Sequence, residues 1–250
     1  MLRKRADIVL VDRGFFPSRA KAREAIEAGL VSAKGAQVRK SSEMIEEDAE
    51  IVAEKPYPWV SRGGVKLAAA LAEFGIVPAG RDCVDIGSST GGFTHVLLES
   101  GASRVYAVDV GQGQFSPALA GDPRVTLLEK TDARNLTEEQ FAMPPQLAVF
   151  DVSFISLKLV LPAVLPLLAA DAAMVALIKP QFEAGREKVA KGVVRDASVH
   201  HDVCETIRTC VEAEGWRVAG LVPSPIEGGD GNREFLIGAM RGAPLLATAG

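Results

Sequence analysis

Four charged side chains stand where the surrounding sequence is otherwise apolar. Lys66 interrupts SRGGVKLAAALAEF (61–74), Asp151 ends QLAVFD, Lys179 ends AMVALIK, and Glu234 precedes the apolar stretch of GNREFLIG. A lysine directly after MVALI is costly to bury unless it reaches a rim or a partner. Taken singly, each of the four reads as a salt bridge, or as a lysine that lays its methylenes over a core and keeps its ammonium in water. Amines and carboxylates are also the groups that move protons and hold charge, so their joint meaning depends on what the rest of the chain brings to them.

A second cluster is DIGSSTGGF, Asp85 to Phe93, where an apolar run ends in a glycine-rich turn. Gly87, Gly91 and Gly92, with Ser88, Ser89, Thr90 and Phe93 between and after them, would let a ligand approach free N–H groups at a helix N-terminus. The spacing is G-x-x-x-G-G and differs from the G-x-G-x-x-G of dinucleotide binders. Asp85 would repel a pyrophosphate there, whereas an acid suits the ammonium end or water shell of S-adenosylmethionine. Asp109, followed by Val110, closes the next apolar run and can accept from ribose hydroxyls. Asp132, followed by Ala133, closes the third and can accept from an adenine amine. Three acids at three successive strand ends favour S-adenosylmethionine over nicotinamide.

These groups need a scaffold. From Arg81 onward, apolar runs at 83–87, 104–110, 124–129, 146–152, 173–180, 216–224 and 233–240 alternate with helical patterns near 91–99, 157–169 and 198–213. Near-continuous apolar strands separated by helices predict a parallel sheet covered on both faces. This is a doubly wound α/β domain of Rossmann-like type, whose ligands sit at the carboxyl ends of the strands. Before it, Leu67, Ala70, Leu71 and Phe74 recur at helical spacing, which makes 61–74 an amphipathic helix with Lys66 on the flank of its buried stripe. Residues 159–178 have the length of a membrane span and a single charge. Pro162, Pro166 and Asp171 break that run into a helix, a turn and a buried strand.

At 250 residues, 48% of them hydrophobic, the chain suits one large core and a small second domain. Three cysteines, Cys83, Cys204 and Cys210, without C-x-x-C spacing suit a reducing cytoplasm and no structural zinc. The apolar run in MLRKRADIVLVDRG is too short for a signal peptide. His200, His201 and Cys204 lack an acid partner and are expected at the surface, so no metal is expected. The net charge of −4 is unevenly spread: residues 1–40 hold ten Lys/Arg against four Asp/Glu, and residues 41–54 hold six acids and no bases. A basic module on an acidic chain is an electrostatic footprint for phosphate, and Arg3, Arg5, Arg19, Lys21, Arg23 and the later Arg62 are its candidate RNA contacts. Ser18 can cap a helix over 19–28 that Gly29 ends, and short strands flank a turn at Lys34-Gly35. EKPYPWV (54–60) reads as a stiff joint with Tyr57 and Trp59 as anchors. The expected organisation is a small α/β domain over 1–54, a linker over 55–60 and a catalytic domain over 61–250.

The first module, with SRAKAREAIEAGLV followed by a turn and a second strand, resembles over about residues 6–50 the small RNA-binding domain of a small-subunit ribosomal protein and of tyrosyl-tRNA synthetases. Lys66, Asp151, Lys179 and Glu234 fall in the Lys-Asp-Lys-Glu order of the FtsJ-like ribose 2'-O-methyltransferases. YPWVSRGGVKL, DIGSSTGGFTHVLLESGA, VDVGQGQ, DVSFISL, IKPQFE and GNREFL together resemble, in order and from about residue 6 to 240, the hemolysin A-like (TlyA) family of rRNA 2'-O-methyltransferases. The resemblance departs at the joint, where Tyr57-Pro58 replaces an arginine and an alanine, and in the short stretch after Met240. It implies an S-adenosylmethionine-dependent enzyme of the cytoplasm that methylates a cytidine ribose of large-subunit rRNA, with rRNA or a ribosomal subunit as partner and no membrane. The methyl sulfonium is already an activated donor, so catalysis reduces to in-line placement of the ribose oxygen and removal of its proton. On this resemblance Lys179 is the base, aided by desolvation and by the Lys66 ammonium, while Asp151 and Glu234 hold the constellation. Rival readings lack their signatures. A base N-methyltransferase would show D-P-P-Y or N-P-P-F at Asp151–Phe154, and a cytosine C5 enzyme would need a cysteine there. A catalytically inactive RNA-binding protein would not need the four charged residues, and a membrane-active hemolysin would need an amphipathic or spanning segment.

Overall fold

The computed structural model describes residues 2–242. The chain divides into two compact units, Met1–Pro58 and Trp59–Gly250. In the first, β1 (Arg3–Arg5) leads into α1 (Ala6–Asp12) and α2 (Arg19–Glu27), followed by β2 (Val31–Ala33), β3 (Ala36–Gln37), β4 (Met44–Glu46) and β5 (Ile51–Ala53). Ser18 accepts from the Lys21 amide at 3.4 Å and caps α2. Lys34 and Gly35, at φ 51° and 75°, form the two-residue turn whose twist suits a β2–β3 hairpin. β1 and β4 carry no alternating apolar signal, and their antiparallel pairing sets Arg3 opposite Glu46. Val9, Leu10, Ala22, Ile26, Val31 and Ile45 close the core of this unit.

The second unit runs α3 (Gly63–Phe74), β6 (Asp82–Ile86), α4 (Gly92–Glu99), β7 (Arg104–Val108), α5 (Pro117–Ala120), β8 (Val125–Leu128), β9 (Leu147–Phe150), α6 (Leu157–Val164), β10 (Ala173–Ile178), α7 (Pro180–Glu183), α8 (Ala197–Ala213), β11 (Arg217–Pro223) and β12 (Phe235–Met240). One seven-stranded sheet has the order β11-β12-β10-β9-β6-β7-β8. β9 shows why its strands read as continuous apolar runs: Leu147 and Val149 enter the core under α3 and α4, while Ala148 and Phe150 enter the core on the opposite face with α6 and α8.

The expected all-parallel sheet is corrected at one edge. β12 runs antiparallel to both β10 and β11. Residues 224–234 contain one 3-10 turn and no crossover helix, so the chain can only reverse there. Residues 159–178 form the end of α6 with Pro162 inside it, a 3-10 turn and β10, and no helix among the described residues is long and apolar enough to cross a membrane.

A second correction concerns α8. His200 and Cys204, expected at the surface, are buried, because the i, i+4 pair lies on the helix face packed against the sheet. His201 is exposed, and the described residues hold no His/Cys/Asp/Glu group suited to a metal.

Candidate active site

The reversal of β12 brings the four charged residues together. Ile178 of β10 pairs with Phe235 of β12, so Lys179 and Glu234 leave the sheet at the same edge, beside Asp151 at the end of β9. Lys66 arrives from the first turn of α3. It does not lie on the helix flank but is 5% exposed, and its Nζ donates to Glu234 Oε2 at 2.5 Å. Lys179 Nζ forms an ion pair with Asp151 Oδ1 at 2.7 Å and donates to Ser153 Oγ at 2.8 Å. All four residues line one cavity of about 280 Å³, with Ser61 and Arg62 at its wall. Each lysine has its own carboxylate, so the expected influence of the Lys66 ammonium on Lys179 acts through two ion pairs and not between bare amines.

Packing around these groups fixes their positions. A side chain at Gly64 would meet the Trp59 ring at 2.6 Å, so what approaches Gly64 is the indole of the joint. Val60 N donates to His95 Nδ1 at 3.1 Å, which ties the same segment to α4. On the other side, Glu183 accepts from Ser156 Oγ at 2.5 Å and from the Leu157 amide at 2.7 Å, joining the segment after Lys179 to the loop after Asp151. Burial raises the Glu183 carboxyl, and these two donors oppose that rise.

Beside this cavity lies a cleft of about 560 Å³, in the size range of small-molecule sites. Gly87, Ser89, Asp109, Val110, Asp132 and Ala133, all candidates from the sequence, line it. Asp109 accepts from the Ser89 and Gly111 amides, each at 2.7 Å, and keeps lone pairs for a ribose. Asp132 is held by Arg134, whose hydrogen bonds depress its carboxyl to about 2. Ser88, Thr90, Gly92 and Phe93 line the neighbouring cavity and not the cleft.

Two residues expected at the cofactor, Asp85 and Gly91, line neither the cleft nor the cavity. The Asp85 side chain is fully buried, accepts from Thr94 Oγ1 at 2.7 Å, and leaves Oδ1 without a partner. Burial above all raises this carboxyl to about 7, against the Thr94 hydrogen bond and with help from Asp151 and Asp109. Gly91, at φ 90°, is shaped by protein packing, since a side chain there would meet Leu119 at 2.8 Å and Phe115 at 2.9 Å. The cleft therefore offers Asp109, Asp132 and Asp151 against one lining cation, Arg134. That donor and charge set fits a cationic nucleoside better than a pyrophosphate.

Sequence reasoning missed Thr131, Arg134 and Gln114 in the cleft, and Ser153 and Phe154 beside Asp151. The last two stand in the DVSFISL motif, where their position next to Asp151 was the available signal. Phe154 is 91% exposed, has the left-handed φ of 63° that aromatic residues rarely adopt, and meets Phe182 at 5.0 Å between ring centroids. An open aromatic face at the lip of the cleft is a surface on which a nucleobase can stack.

In the first unit the candidate RNA-contacting residues already have partners. Arg5 and Arg19 converge on buried Asp7 at 3.0 and 2.8 Å, and these guanidiniums, Arg5 foremost, hold its carboxyl down to about 2. Arg23 pairs with Glu27 at 2.7 Å, Arg3 donates to Met44 O at 2.6 Å, and Lys21 bridges Glu24 and Tyr57. The side chains of Arg5, Arg19 and Arg23 remain open to solvent, which leaves donors for phosphate.

A family model for FtsJ-like methyltransferases matches residues 59–241, and one for the S4 domain matches residues 4–51. The chain is 43% identical over 238 residues to the 16S/23S rRNA (cytidine-2'-O)-methyltransferase TlyA of Mycobacterium tuberculosis, covering 94% of this chain and 89% of that protein. It is 37% identical over 180 residues to the 23S rRNA (cytidine-2'-O)-methyltransferase TlyA of Campylobacter jejuni, covering 71% and 69%. A solved structure from Streptococcus thermophilus, described as a "putative hemolysin", matches with a TM-score of 0.76 and 42% identity over 96% of this chain and 89% of that one.

Proposed function

The chain belongs to the FtsJ-like methyltransferase family, and from that membership we propose that it methylates the ribose 2'-hydroxyl of a cytidine in large-subunit ribosomal RNA, using S-adenosylmethionine. The observation that carries this reading is the convergence of two lysine–carboxylate pairs, Lys66 with Glu234 and Lys179 with Asp151, on one cavity that shares Gly87, Ser89 and Asp151 with an acid-lined cleft. When bound, S-adenosylmethionine supplies a methyl group already activated on a sulfonium. The work left to the protein is binding, alignment and removal of one proton.

Asp109 accepts from the cofactor's ribose hydroxyls, and Asp132, steadied by Arg134, accepts from the adenine amine. Lys179, in its neutral amine form, takes the proton of the substrate hydroxyl, and Asp151 and Ser153 hold the resulting ammonium. The buried Lys66–Glu234 pair fixes the floor of the cavity and its charge. Arg62 stands at the cavity wall for the incoming backbone, and the S4 unit binds RNA through Arg3, Arg5, Arg19, Lys21 and Arg23. The site of action is the cytoplasm, where ribosomal RNA is assembled. Both relatives named above act on 23S rRNA, which supports the large-subunit assignment.

The test is to incubate rRNA of both subunits, from a strain lacking the gene, with the protein and labelled S-adenosylmethionine, and to map the digest by mass. A 2'-O-methylcytidine in the large-subunit RNA is expected. Label on a base, or in small-subunit RNA alone, refutes the assignment. Lys179→Ala abolishes transfer while cofactor and rRNA still bind, because a group acting only in the transition state lowers turnover and not affinity. Lys179→Arg fails as well, since arginine does not surrender its proton, whereas Lys66→Arg retains part of the activity. A fully active Lys179→Arg variant would shift the role of base to Asp151 or a water.

A further inference from the structure

Two buried polar side chains, Asn232 and His200, take no part in the site described above. Both spend their hydrogen bonds on one stretch of backbone. Asn232 Oδ1 accepts from Val194 N at 3.3 Å, while its Nδ2 donates to Gly192 O at 2.9 Å and to Gly229 O at 3.2 Å. His200 Nε2 meets Val194 O at 3.0 Å, with its ring edge against Phe235. Val194 is itself buried, so its N–H, its C=O and its side chain are all held.

The residue after Val194 is Arg195, and the residue after Asn232 is Arg233. The asparagine bridge thus joins the two positions that immediately precede two arginines. Both line a cavity of about 380 Å³, which Glu227 and Gly231 also border. Both are exposed, and among the described residues neither makes a hydrogen bond or an ion pair. The 228–234 segment meanwhile contributes Gly229 and Glu234 to the catalytic cavity, so successive residues Arg233 and Glu234 serve different spaces.

We propose that the cavity between Arg195 and Arg233 is a phosphodiester subsite for the RNA strand that carries the methylated ribose, one loop away from the Lys66–Glu234 pair. Two planar guanidiniums without protein partners offer forked donors that match phosphate oxygens. Fixing the backbone beneath them with Asn232 and His200 removes much of the ordering cost of binding. Glu227 at the border opposes an anion and tempers its affinity. The inference rests on RNA being the substrate.

The experiment measures binding of rRNA, extracted from a strain lacking the gene, as a function of KCl concentration, for the parent, Arg195→Gln/Arg233→Gln and Glu227→Gln. Loss of two phosphate contacts flattens the slope of log affinity against log salt by about 1.4 to 1.8. Glu227→Gln tightens binding. Affinity for S-adenosylmethionine in calorimetry and urea midpoints stay at parent values in both variants. A double variant with the parent's slope overturns the subsite, and so do two variants that weaken binding together, which is what loop distortion would do. A parent protein that neither binds nor methylates rRNA removes the substrate reading and the subsite with it, whereas a methylating parent beside an unaltered double variant overturns the subsite alone.

Discussion

Asparagine at position 85 should make the cofactor-free protein more stable, and by an amount that depends on pH. The Asp85 carboxyl is raised from its ordinary 3.8 to about 7, mainly by burial. The folded state therefore holds this proton more tightly than the unfolded chain does. Below about pH 3.8 both states are protonated and the carboxyl costs nothing; between there and about 7 the cost of keeping it buried grows; above that range both states are ionised and the cost is constant. At 1.36 kcal/mol per pH unit, linkage puts the cost at about 2 kcal/mol at pH 5 and about 4 kcal/mol at pH 8. Asparagine keeps an acceptor for Thr94 Oγ1 and removes the ionisation. Urea unfolding of parent and Asp85→Asn should show a stability difference that widens by roughly 2–3 kcal/mol from pH 5 to pH 8. A difference that does not change with pH refutes the reasoning, because only a titrating, buried carboxylate produces the trend.

Two further substitutions test the surroundings of the site. Gly64→Ala places a methyl group against the Trp59 ring, 2.6 Å away; it should cost about 1–3 kcal/mol in urea unfolding and shift the tryptophan emission, and an unchanged midpoint would mean that the joint does not pack as described. Asp7 has the opposite sign to Asp85. Its carboxyl is held down to about 2, so its contribution to stability is present above about pH 4 and is lost as pH falls toward 2. Asp7→Asn should flatten acid unfolding over that interval when followed by circular dichroism, and an unaltered acid limb would remove the Arg5–Asp7–Arg19 cluster from the account.

The strands of the second unit were legible because each apolar run stops at a charged or glycine-rich end, as β6 does at Gly87 and β10 at Lys179. What sequence spacing could not carry was direction. Nothing in GNREFLIG states that β12 runs against its neighbours, yet that reversal is what delivers Glu234 to Lys66. The burial of Lys66 was hidden for the same reason, since its partner lies 168 residues away and a helical stripe alone leaves such a lysine on the flank. The orientation of Asp85 was not legible because the end of a strand does not disclose which side its penultimate residue faces; here it faces Thr94 of α4. His200 illustrates the reverse case. A polar-looking helix still has one face on the sheet, and its neighbours Val199, Val203 and Ile207 indicated which. In the first unit, β1 and β4 carry charge where a strand signal would be apolar, so their pairing could be read only from coordinates.

The Lys66–Glu234 pair also gives the molecule an order of completion. A ribosome making this chain releases Lys66 long before the codons for Glu234 and β12 are translated, and closing so long a loop is entropically slow compared with the local pairings of the first unit. Until β12 docks, burying Lys66 would leave a cation without a counter-charge, which a folded domain does not tolerate. A nascent or clipped chain that stops short of β12 can carry a finished amino-terminal unit, with its own core, on a body whose centre has not closed. A chain cut before Glu234 is expected to lose methyl transfer, because Lys66 then has no counter-charge.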